Sequence, residues 1–126
     1  MAEALQKKMQ QEVEKYKALQ KEYQTVISTR QQLDSQLTEN NGVKVEMAVL
    51  EGEANVFKLI GPALIKQDLH EAKQNVNKRI DYITAELKRL DKTIEDLDKK
   101  QDDQREVLGK LQQQLQQAQV KSAMKA

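Results

Sequence analysis

Apolar residues recur along the first third of the chain in alternating steps of four and three. The positions are Leu5, Met9, Glu12, Tyr16, Leu19, Tyr23, Val26, Arg30, Leu33 and Leu37, with Glu12 and Arg30 the polar exceptions. Such spacing lays one stripe along a helix wound at about 3.5 residues per turn, the seam of a coiled coil. Near Asn40-Asn41-Gly42 the phase changes, and Val43, Met47 and Leu50 continue on a shifted stripe, as after a register slip. The pattern predicts a first helix over about residues 3–50. A cleaner stripe follows through Val76, Ile80, Ile83, Leu87, Leu90, Ile94 and Leu97. It passes two polar positions, Gln101 and Gln104, and resumes at Leu108, Leu111, Leu115 and Ala118. With Asp68 as N-cap and Glu71 in the first turn, this predicts a second helix over about 69–120. At ~1.5 Å per residue each helix spans ~70 Å, too long for a globular bundle of this mass.

Between the helices lies a stretch of another kind, Val56 to Leu69, "VFKLIGPALIKQDL". It holds the sole Pro and the sole Phe of the chain. Gly61-Pro62 is a strong turn signal, and the flanking residues 56–60 and 63–65 are large and β-prone. A helix running straight through would carry a Pro penalty of ~3 kcal/mol and about 1 more for the Gly. The reading is a β-hairpin over about 54–67, which folds the two helices antiparallel and brings both chain ends to one tip. The whole of 1–126 is then a single domain of mainly α class. Val56 and Ile60 point one way and Phe57 and Leu59 the other, and Leu64 and Ile65 repeat this on the return strand. A lone two-stranded hairpin is marginal in water, and one apolar on both faces has open edges that invite further strands. Two helices have no spare layer to cover it, so the segment should oligomerise.

Composition agrees with this and removes other function classes. One third of the residues are charged and 3% are aromatic, poor material for a compact core but usual for long helices. Basic and acidic residues number 21 and 20, so no net field recruits nucleic acid or anionic membrane. The absence of Cys suits a reducing compartment. The start MAEALQKKMQ lacks a secretory h-region, and the apolar run Leu59 to Ile65 is far short of the ~20 residues that span a bilayer. The expectation is a cytoplasmic protein with no membrane or nucleic-acid partner. No phosphate-binding loop is present, since Gly109-Lys110 lacks the preceding Gly. His70 beside Asp68 and Glu71 reads as a solvated cap, and Asp96, Asp98, Asp102 and Asp103 alternate with lysines as a solvated helix face. No catalytic, cofactor or metal residue is assigned, and the chain is read as no enzyme.

The block "QLTENNGVKVEMAVLEGEANVFKLIGPALIKQDL" followed by "KRIDYITAELKRL" resembles the prefoldin family, most strongly from Gln36 to about Leu97. The resemblance implies a β-class subunit, which carries one hairpin between its helices where the α-class carries two. It further implies a heterohexamer of two α-class and four β-class subunits whose hairpins join into intersubunit β-barrels, with six coiled coils hanging from that platform. The implied activity is ATP-independent capture of unfolded chains, notably actin and tubulin, at the coiled-coil tips. Transfer to the cytosolic group II chaperonin follows, with no cofactor. Carried onto this sequence, the assembly residues are Val56, Phe57, Leu59, Ile60, Ala63, Leu64 and Ile65. The client-binding zone is the two ends, roughly 1–20 and 104–126.

Capture of unfolded chains needs apolar groups that water can reach, and the ends supply them. Leu5, Met9, Val13, Tyr16, Leu108, Leu111, Leu115, Val120 and Met124 are set among Gln and Lys, and six of the eight residues from Gln112 to Gln119 are Gln. For each the alternative is ordinary seam packing, Leu5, Met9 and Tyr16 against Leu108, Leu111 and Leu115. Val13, Val120 and Met124 lie off the stripe or beyond its end and are the better candidates for clients. Glu12 at the level of Gln104 should weaken the seam and let the tip splay. The alternative function is a structural coiled-coil tether that dimerises through its hairpin. A more distant one is an amphipathic helix on a membrane surface, which the narrow stripe and near-zero charge oppose.

Overall fold

The computed structural model describes residues 2–50, 56–60 and 63–125. In chain order they form α1 (Ala2–Ala48), β1 (Val56–Ile60), β2 (Ala63–Gln67) and α2 (Leu69–Lys125). The chain divides into two compact units: Met1–Ser28 with Asp91–Ala126, and Thr29–Leu90.

In the unit of residues 29–90, β1 and β2 pair antiparallel. Val56 stands opposite Gln67, Phe57 opposite Lys66, Lys58 opposite Ile65, Leu59 opposite Leu64 and Ile60 opposite Ala63. The predicted turn at Gly61-Pro62 lies outside the described residues. The helix that follows starts where a cap is available: Asp68 Oδ2 accepts the Glu71 amide at 3.2 Å and its carbonyl accepts the Ala72 amide at 2.9 Å. The first bond satisfies an amide that a helix start otherwise leaves open, and the second is the first bond of the helix itself. Ala72, Val76, Ile83, Leu87 and Leu90 are buried on α2, with Ile80 half-buried between them. The facing stripe of α1 is half-buried at Arg30, Leu33, Leu37, Asn40 and Met47. Lys44, Met47 and Ala48 meet Lys73, Val76 and Asn77 around one cleft, and Gln36, Glu39 and Asn40 meet Lys78, Arg79, Tyr82 and Ile83 around another. Rising numbers on one helix against falling numbers on the other make the pair antiparallel here.

One sequence expectation, the register slip, is corrected in this unit. α1 passes through Asn40-Asn41-Gly42 without a break, and the half-buried stripe keeps its phase through Asn40 to Met47, leaving Val43 and Leu50 exposed. The polar side chains do not compete with the helix, because they bond back onto it. Asn40 Nδ2 donates to the Gln36 carbonyl at 2.7 Å and Thr38 Oγ1 to the Asp34 carbonyl at 3.1 Å. α1 ends at Ala48, where the Val49 and Leu50 amides turn onto the carbonyls of Glu46 and Met47.

In the other unit, residues 2–28 of α1 run antiparallel to 91–125 of α2. Ala2 and Leu5 share a groove with residues from Gln114 to Lys125, while Lys15, Leu19 and Glu22 share one with Lys100, Asp103 and Gln104. Leu97, Gln101 and Leu111 are buried, and Ile94, Gln104, Leu108, Leu115 and Ala118 half-buried. Opposite them Leu5, Met9, Glu12, Tyr16, Leu19, Tyr23 and Val26 are half-buried, the positions of the predicted stripe. α2 continues beyond the expected end near 120 to Lys125, since VKSAMK contains no Gly or Pro to stop it. No described helix is long and apolar enough to cross a membrane.

Candidate functional site

The end of the first unit, where Ala2 and Lys125 line the same groove, gathers the residues the sequence assigned to a tip. They fall into two groups. Leu111 is 4% exposed and belongs to the seam, with Leu5, Met9, Val13, Tyr16, Leu108 and Leu115 half-buried around the same seam. Val120 and Met124, by contrast, are 56% and 82% exposed. The seam therefore takes Leu111 out of the accessible set in the closed coil, whereas the two positions beyond the stripe stand in water. Val13, read as free, is half-buried because it flanks the stripe position Glu12.

Below this end the seam carries a polar layer. Gln104 Nε2 donates to the Glu12 main-chain oxygen at 2.8 Å and to Glu12 Oε2 at 2.6 Å. Lys15 Nζ adds a bond to Glu12 Oε1 at 3.2 Å. The Gln104 bond, then that of Lys15, holds the Glu12 carboxyl below its ordinary value. Arg105 Nε donates to the Tyr16 hydroxyl at 2.8 Å, its guanidinium lies 5.7 Å from the Tyr16 ring centre, and its other arm reaches Asp102 at 2.7 Å. Here the expectation needs correcting, because Glu12 is bonded across the seam and does not loosen it. The unsatisfied group is one turn away. Gln101 is buried, and its Nε2 has no hydrogen-bond partner among the described residues.

The second candidate surface is the sheet. Phe57 is 54% exposed, and Ala63 and Lys66 are exposed beside it. The side chains of Val56, Leu59, Ile60, Leu64 and Ile65 lie outside the described residues. Among the described residues no group of three or more His, Cys, Asp or Glu could hold a metal.

A family model described as "Prefoldin subunit" matches residues 10–121. The chain belongs to the prefoldin family. Prefoldin subunit 6 of Homo sapiens is 54% identical over 98% of this chain and 95% of its own length, and that of Mus musculus is 54% identical over 98% and 97%. Prefoldin subunit 6 of Arabidopsis thaliana is 56% identical over 69% of this chain and 67% of its own. Among solved structures, the prefoldin beta subunit from Thermococcus strain KS-1 superposes with a TM-score of 0.66 at 23% identity, covering 88% of this chain and 91% of that one. The fold is thus that of prefoldin beta subunits, two long helices in a mainly helical chain. As a prefoldin subunit the chain is a chaperone component that associates with other prefoldin subunits.

The prefoldin chain also carries apolar surface outside the helical stripe. Val45 and Val49, at the end of α1 in the same unit as the sheet, are 68% and 79% exposed, with Val43 and Leu50 partly so. The signal is in the sequence: Val43, Val45, Met47 and Val49 alternate with Lys, Glu and Ala, a denser apolar pattern than one helical seam uses.

Proposed function

We propose that the chain is the β-class subunit of a heterohexameric prefoldin co-chaperone, acting over its full length as one β-type subunit in the cytoplasm. Two α-class and three further β-class subunits complete the complex. Its hairpin, through Val56, Phe57, Leu59, Ile60, Ala63, Leu64 and Ile65, contributes to an intersubunit β-barrel, with Val45 and Val49 extending that interface. Its tip captures unfolded polypeptides of the actin and tubulin type without ATP and passes them to the cytosolic group II chaperonin.

The observation that carries the reading is the pair Val120 and Met124, apolar and in water at the end of a helix otherwise rich in Gln and Lys. A methionine adapts to irregular partners, and the amides keep the end soluble without charge repulsion. Leu5, Met9, Val13, Tyr16, Leu108, Leu111 and Leu115 form a reserve that is offered when the seam opens above Gln101. An unpartnered buried amide there costs about 1–3 kcal/mol, so opening relieves a penalty while it exposes the stripe. Each contact is weak, and six tips acting on one client multiply affinity by roughly 10² to 10⁴. Release then needs competition at a few tips and no nucleotide.

The test is to co-express the chain with candidate partner subunits, measure the mass of the complex, and follow aggregation of denatured actin with ATP removed. A hexamer that suppresses aggregation supports the proposal. A homodimer that ignores both partners and unfolded chains would replace it with the tether reading.

A further inference from the structure

Charge is unevenly distributed in this chain. Residues 107–126 contain Lys110, Lys121 and Lys125 and no acid, and residues 1–11 contain Lys7 and Lys8 against Glu3. The end therefore carries five lysines and one carboxylate in a chain whose total is +1. Continuing the seam of α2 past Ala118 by steps of four and three reaches Ser122 and Lys125, so the stripe itself turns polar and then cationic. Around these residues lies a groove of about 650 Å³, lined by Ala2 and Leu5 of α1 and, in succession along one face of α2, by Gln114, Gln117, Ala118, Lys121 and Lys125. Lys110 is drawn to Glu106 on its own helix at 3.8 Å. Among the described residues, no carboxylate pairs with Lys121 or Lys125.

From this juxtaposition we infer that the groove selects unfolded segments in which an apolar side chain stands next to carboxylates. The inference rests on the tip-capture reading above and specifies its substrate class. An apolar side chain covers Leu5 and the two alanines. The glutamine amides, each donor and acceptor, pair with an extended peptide backbone whatever its sequence. Lys121 and Lys125 are four apart on one helix face, ~5–6 Å between their Cβ atoms. Alternate side chains of an extended peptide are ~6.6–6.8 Å apart, so acids two residues apart meet both ammonium groups. The lysine stems add apolar cover while the heads stay in water. Exposed charge pairs each change binding by roughly two- to fivefold, and salt screens them.

The experiment uses the assembled complex with a photo-crosslinking residue in place of Met124, so that this tip alone is read. Two extended peptides with the same apolar core compete, one flanked by Glu and the other by Lys. The expected result is capture of the Glu peptide about fivefold over the Lys peptide, a ratio that shrinks toward one in high salt and inverts in the Lys121→Glu/Lys125→Glu double variant. Equal capture of both peptides, unchanged by charge reversal, overturns the selectivity while leaving tip capture standing. If neither peptide is captured from Met124 although an unfolded protein still binds the complex elsewhere, the capture reading and the selectivity fall together.

Discussion

Gln104 on α2 donates its side-chain amide to two oxygens of Glu12 on α1, the carbonyl at 2.8 Å and the carboxylate at 2.6 Å. This clamp fixes the level at which the two helices meet, because a register shift of one turn would break both bonds. Replacing Gln104 by Ala should lower the midpoint of thermal unfolding by a few degrees, read by circular dichroism. Gln104→Glu, which sets two carboxylates together, should lower it further.

One turn away, Gln101 is buried with an amide nitrogen that nothing described accepts from. Gln101→Leu removes the penalty and should stabilise the coil by about 1–3 kcal/mol. If the opening of the seam there serves capture, the same variant should suppress client aggregation less well although it is more stable. Stability and activity rising together would contradict the assigned role.

The tip residues should separate by the same logic. Leu111→Ala empties a packed seam position and should cost about 2–5 kcal/mol in stability. Val120→Ser with Met124→Ser touches side chains already in water and should leave the unfolding midpoint unchanged, while it weakens client capture by this subunit.

The dependence on acid follows from Glu12 and Glu86. The Gln104 bond to Glu12 and the Arg89 bond to Glu86, 2.8 Å at its shortest, hold both carboxyls below their ordinary value of 4.5. A group whose folded value is depressed stabilises fully above its unfolded value, and that contribution disappears as pH falls through the folded one. The difference in unfolding midpoint between the natural chain and Glu12→Gln should therefore be constant from pH 7 down to about 5 and shrink below 4.5.

At the sheet, Phe57→Asp places a charge on an exposed aromatic position opposite Lys66. It should block assembly with partner subunits, seen by size exclusion with light scattering, and leave the helical signal intact. Val45→Asp with Val49→Asp should weaken assembly in the same direction.

Much of this was legible in the sequence because a seam is a one-dimensional pattern. The steps of three and four from Leu5 to Leu37 and from Val76 to Ala118 named the residues that pack, and Asp68 named the start of α2. What was not legible depends on geometry across the seam. Glu12 and Gln104 read as two weak positions, yet they satisfy each other, whereas Gln101, which looks the same in the sequence, is left without a partner. Val43 and Leu50 suggest a slip because apolar residues are read as seam positions, whereas the seam keeps its phase through the half-buried Asn40, whose side-chain amide bonds back to the Gln36 carbonyl. Val45 and Val49 were missed because a pattern search for one stripe discards apolar residues that fall outside it.

The most direct measurement is crosslinking of an unfolded client to the assembled complex from single positions on this subunit. One photo-reactive residue replaces Val120 at the tip, and another replaces Tyr82, which is as exposed but lies in the unit that holds the sheet. Capture at the tip predicts a strong adduct from position 120, none above background from position 82, and the same outcome with ATP removed. Equal adducts from both positions, or an adduct from 82 alone, would contradict it.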